Sequence, residues 1–123
     1  MPEGHRHLQA AQENETLAHD LIDRDPGRSW SPVLSFYSAL HWVDGYLASM
    51  GIHPRNHVSR RGYVARVPGL ETIADDYQRL ESRSREARYE LAEFTAIEAR
   101  LLIQGELRRI KEAILALLPP DNP

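Results

Sequence analysis

The chain has 123 residues and a net charge of −3, the length of one domain. With 41% hydrophobic and 27% charged residues the composition is globular, which excludes an intrinsically disordered chain. The 15 basic residues against 18 acidic ones exclude a generic polyanion binder, and the lack of cysteine excludes disulfides, thiolate zinc sites and a cysteine nucleophile. Fourteen of the 15 basic residues are arginine, and Lys111 is the single lysine. The opening MPEGHRHLQAAQENE carries acids and no apolar core, so it reads as neither a secretory signal nor a transit peptide. No apolar stretch is long enough to span a bilayer, and a soluble cytoplasmic chain is expected.

Gly and Pro cluster at a few places and divide the chain into helical segments. Leu8, Ala11, Leu17, Ala18, Leu21 and Ile22 recur at helical spacings and predict a first helix over about His5 to Asp23, stopped by Arg24-Asp25-Pro26-Gly27. Ser31 as N-cap and Pro32 at the first helical position predict a second helix from Pro32 to about Met50, closed by Gly51. Within it Tyr37, His41 and Asp44 share a stripe, either a polar relay or a core histidine bonded to Asp44 or Tyr37. Trp42 falls off the core stripe, and an exposed aromatic there would point to a protein partner.

Pro54 holds His53 extended, and Asn56 predicts the cap of a short helix over His57 to Val67. The two histidines then do not share a face, and no metal site is expected. Leu70 to Tyr89 fits a third long helix. Leu91 to Leu118 fits a fourth, where Ile103, Leu107, Ile110, Ile114 and Leu117 form a heptad seam that reads as a dimer interface. No window alternates as a strand would. The fold class expected is all-α, an up-and-down helical bundle of four main helices plus a short one.

Charge is uneven along the chain. Residues 51 to 69 hold Arg55, Arg60, Arg61 and Arg66 with no acid, whereas residues 1 to 25 hold six acids against two arginines. Arginine's planar fork matches phosphate oxygens and stacks on bases, so this island with Tyr63 inside it is a candidate phosphate or RNA contact. The alternative is a solvated face paired with the acidic N-terminal segment. His57 and Arg60, three apart on the short helix, could act as a base and its phosphate clamp, or His57 could be structural. Ser84, Arg85, Arg88 and Tyr89 form a second basic cluster, which could line a groove or bond acids of the first helix.

Several of these patterns agree in order. Trp30-Ser31-Pro32, then Phe36-Tyr37-Ser38-Ala39-Leu40-His41-Trp42-Val43-Asp44 and Leu47-Ala48-Ser49-Met50-Gly51, resemble the "YYA-LH" helix of the HEPN superfamily. His53-Pro54-Arg55-Asn56-His57-x-x-Arg60 is similar to that family's turn, and Tyr77-x-x-Leu80-x-x-x-Ser84-Arg85-x-Ala87-Arg88-Tyr89 to its following segment. The resemblance covers about residues 30 to 89. It implies a single HEPN-like bundle domain over residues 1–118 with a flexible tail over 119–123, often homodimeric. It also implies a setting in bacterial toxin–antitoxin and defence modules, and a nucleotidyltransferase-type or other protein partner.

Active members of the family are metal-independent ribonucleases that use an Arg-x4–6-His pair, and that spacing is absent from this chain. The expectation is therefore a non-catalytic module that binds RNA, a nucleotide or a partner protein. Arg55, Arg60, Arg61, Ser84, Arg85, Arg88 and Tyr89 would form its phosphate face, and no cofactor is expected. A divergent ribonuclease using His57 and Arg60, and a dimeric interaction scaffold, are the alternatives.

Overall fold

The computed structural model describes residues 2–119, and they are all-helical with no strand among them. The helices are α1 (Pro2–Leu21), α2 (Trp30–Ala48), α3 (His57–Arg66), α4 (Ala74–Tyr89), α5 (Ala96–Leu102) and α6 (Arg108–Leu117). A 3₁₀ turn (Leu70–Ile73) leads into α4, and a π turn (Ile103–Leu107) joins α5 to α6. The tail expected over 119–123 lies, from residue 120 onward, outside the described residues.

α2 is the central element. Phe36, Trp42, Val43 and Leu47 are buried with Tyr77 and Leu80 of α4 and Ile110 and Ile114 of α6 in one core. Trp42 is only 1% exposed, so the expected exposed aromatic is a core residue. The reason is that α2 is covered on several sides, and a periodicity argument that allots it one buried face underestimates its burial.

α1 and α2 run antiparallel along a seam of small residues. The Ser31 hydroxyl donates to the Ala18 carbonyl at 2.8 Å, and Ser38 donates to the Ala11 carbonyl at 2.7 Å. One further heptad along, a Cβ on Gly45 would lie 2.7 Å from Leu8 Cδ2. Ser31, Ser38 and Gly45 thus recur every seven residues, and their small size lets the two backbones approach closely. Ser31 is consequently a packing residue and not the N-cap: α2 begins at Trp30 after Ser29, whose side chain makes no capping bond.

α3 starts where the sequence places it. Asn56 Oδ1 accepts from the Ser59 backbone N–H at 2.7 Å, which satisfies one of the orphan donors of the first turn. Gly69 then takes a left-handed conformation, φ +95°, which glycine adopts without a Cβ penalty. The single long helix expected over Leu91 to Leu118 begins later. Leu91 is left-handed at φ 55°, and Thr95 and Glu98 form a reciprocal capping box that starts α5.

The apolar seam expected to form a dimer interface lies inside the chain. Ile103, Leu107, Ile110 and Ile114 are each 3% exposed or less, and Leu117 packs against the same core. A heptad seam shows that a helix buries one face and does not say whose surface covers it. Here α2 and α4 cover it. Arg109 adds a polar clamp, donating from Nε and from its terminal nitrogen to the two oxygens of Asp76 on α4, each at 2.9 Å.

Candidate functional site

Three helices bring a polar cluster together. α2 supplies Tyr37, His41 and Asp44, α3 supplies His57, Arg60 and Arg61, and α4 supplies Tyr77, Glu81, Ser84 and Arg88. The α4 set follows helical spacing of four, three and four, which places those side chains on one stripe.

Two arginines of α3 pin it between its neighbours. Arg60 reaches α2, donating from Nε to Asp44 Oδ1 at 2.8 Å and from a terminal nitrogen to Oδ2 at 3.1 Å. Both side chains are less than a tenth exposed, so this is a buried two-point ion pair. Burial works against the Arg60 charge, and the hydrogen bonds and attraction from Asp44 outweigh it, so the net shift of its pKa is upward. Arg61 reaches α4 instead, donating to Glu81 Oε2 at 2.9 Å. Tyr77, buried next to Arg60, has a hydroxyl pKa pushed up by burial, and the Arg60 charge opposes this.

His57 stands at the edge of this cluster, half-buried, its ring 5.9 Å from that of Phe36. Its Nδ1 lies 3.5 Å from Arg60, at the outer limit of a hydrogen bond. Burial holds its pKa below the usual histidine value, the Arg60, Arg88 and Arg61 charges add to this, and Glu81 opposes it. Its ring is therefore neutral near pH 7.

Arg88 differs from the other arginines of the cluster. It donates to the Tyr37 hydroxyl at 3.0 Å, and its guanidinium lies 4.9 Å from the Tyr89 ring centre and 5.6 Å from that of Tyr37. Among the described residues no carboxylate pairs with it. Its Nε is buried without an acceptor, as is the Ser84 hydroxyl one turn earlier. Tyr89 is 70% exposed, so one face of this pair is open to solvent. Arg55 and Arg85 are exposed and have no ion pair among the described residues, and Arg66 lies over the Tyr63 ring.

The structure thus divides the predicted phosphate ligands. Arg60 and Arg61 are committed to Asp44 and Glu81, and Ser84 is fully buried, so it cannot line the predicted phosphate face, whereas Arg85, Arg88 and Tyr89 on α4, and Arg55 ahead of α3, are unpaired among the described residues. Asp44 does not orient His41, as the stripe on α2 allows. It holds Arg60, and His41 meets His7 of α1, Nδ1 to Nδ1 at 3.0 Å with the rings 5.3 Å apart. Two nitrogens at that distance share one proton, and the pKa of His41 is lowered by burial and then by His7. Glu81 was not singled out in the sequence. Its place four residues after Tyr77 and seven before Arg88 was the available signal.

Comparison with protein-family models, with curated proteins and with solved structures finds no match to this chain. Among the described residues no group of three or more His, Cys, Asp or Glu side chains is placed to hold a metal ion. No helix among them is long and apolar enough to cross a membrane.

Proposed function

We propose that this chain is a non-catalytic, HEPN-like module that binds RNA through the α3–α4 face, in a bacterial defence or toxin–antitoxin setting. The observation that carries the reading is Arg88: a guanidinium with no carboxylate partner among the described residues, backed by Tyr37 and beside the exposed Tyr89 ring. An arginine held over an aromatic offers a phosphate two donors and a base a stacking platform. Arg85, exposed and three residues before Arg88 on α4, adds a second cation. Arg60, the expected clamp beside His57, has its Nε and one terminal nitrogen occupied by Asp44, which favours binding over cleavage. A second copy or a nucleotidyltransferase-type protein would dock away from the α5–α6 seam, since that seam is internal.

The test is fluorescence anisotropy with a labelled single-stranded RNA across a salt series. Each phosphate contact removed lowers the salt slope by about one, so replacing Arg85 and Arg88 together with alanine lowers it by about two and weakens binding. Unchanged affinity and slope in that variant would overturn the reading.

A metal-independent ribonuclease is the second reading, and the depressed pKa of His57 favours it, since a neutral imidazole can take a proton from a ribose hydroxyl. Incubation of the wild type and His57→Ala with RNA in EDTA separates the two. Cleavage by the wild type alone supports the ribonuclease, and intact RNA in both tubes removes it.

A further inference from the structure

On the side of the molecule built by α1 and α6, the π turn lines a cleft of about 220 Å³. Glu15 and His19 of α1 line it, opposite Gln104, Arg108, Lys111 and Glu112. π turns are rare, and those that occur lie frequently at functional sites. The single lysine of the chain sits in this cleft, its Nζ 3.5 Å from Glu15 Oε1 and 5.9 Å from the Trp42 ring.

The polar groups here are incompletely matched. Glu15 Oε1 is buried and has only the ion-pair contact to Lys111, with no hydrogen bond among the described residues, and the neighbouring Trp42 indole N–H is buried and donates none. Among the described residues Arg108 has no carboxylate partner and Glu112 has no cationic one. A simple anion would meet two carboxylates, and a simple cation would meet Lys111 and Arg108. The groups are complementary to a molecule carrying both charges a few bonds apart. Its size is limited too, since the cleft is smaller than the roughly 300–1,000 Å³ of sites for drug-sized ligands.

We propose that this cleft binds a free α-amino acid, its carboxylate held by Arg108 and Lys111 and its ammonium by Glu15 and Glu112. The site is independent of the RNA-binding face, which lies on α3 and α4.

Thermal denaturation of the full chain with each proteinogenic amino acid in turn tests this, with acetate, methylammonium and N-acetylated amino acids as single-charge controls. A melting temperature that rises with the logarithm of amino-acid concentration, and not with the controls, is the expected result. Arg108→Ala removes an exposed side chain that the fold does not use, and it weakens the apparent affinity by at least about tenfold. Glu15→Gln does the same by a second route. No shift with any amino acid, an equal shift with acetate or an N-acetylated compound, or full binding in both variants overturns the proposal. RNA affinity measured on Arg108→Ala stays at the wild-type value, whereas loss of RNA binding with Arg85 and Arg88 replaced leaves the amino-acid response intact. The two readings therefore fail separately.

Discussion

Arg60 and Arg88 lie on the same polar cluster, within reach of the same histidine, and the structure uses them in opposite ways. Arg60 faces Asp44 across α2 and α3, in a place where neither charge can be solvated, and each neutralises the other. Arg88 meets the Tyr37 hydroxyl and two aromatic rings, and among the described residues no carboxylate compensates its charge next to solvent-exposed Tyr89. Positive charge counted along the sequence is therefore not the charge available to a ligand. Arg60 and Arg61 tie α3 to its neighbours, while Arg55, Arg85 and Arg88 are free to act on a partner.

The largest expected effect tests the structural half of this contrast. Asp44→Ala strands the Arg60 charge in the interior, and loss of one partner of a buried pair costs about 3–5 kcal/mol, read from urea denaturation. A loss under about 1 kcal/mol would show that Arg60 escapes to solvent and that the pair does not hold α3. Arg88→Ala is the opposite case. Stability is expected to change little, while the salt slope of RNA binding falls by about one. A large fall in stability with unchanged binding would place Arg88 with the structural set.

Arg109 supplies an intermediate test, since it makes the same two-point contact to Asp76 with its own side chain 55% exposed. Arg109→Ala is expected to cost less than Asp44→Ala, because Asp76, although buried, keeps Arg79 at 3.4 Å as a second cationic partner. Comparison with Asp44→Ala then shows how much a second partner spares a buried charge.

The smallest effect is on pH dependence. His41 and His57 have folded-state pKa values below the unfolded value, so the unfolded chain binds the extra protons. Their contribution is present above about pH 6.5, the ordinary histidine value, and declines as pH falls through it toward the folded values. Melting temperature is expected to drop on acidification in that range, and His41→Gln flattens the drop. A melting temperature that rises toward pH 5.5 would contradict the sign.

Much of the fold was legible in the chain. The α3 cap at Asn56 and the apolar stripe of the last helix follow from local rules that need only neighbouring residues. The candidate site was legible by residue type and not by role. His57, Ser84, Arg88 and Tyr89 could be picked out, but which arginines carry free charge depends on Asp44 and Glu81, which are 16 and 20 residues away in sequence. The seven-residue recurrence of Ser31, Ser38 and Gly45 was visible as well. It acquires meaning only beside Ala11 and Ala18.

By itself the sequence determined that the chain is helical, roughly where its helices lie, and that one face of the last helix must be buried. These are consequences of backbone propensity, capping and periodicity, which act over a few residues. Tertiary structure decided that the heptad seam is core and not interface, that Trp42 is interior, and that α1 is held by serine hydroxyls. It also decided which charges are spent within the fold. Desolvation is the physical reason: whether a carboxylate and a guanidinium neutralise each other depends on their distance and on the water left around them. Both quantities are set by packing between helices that are distant in the chain.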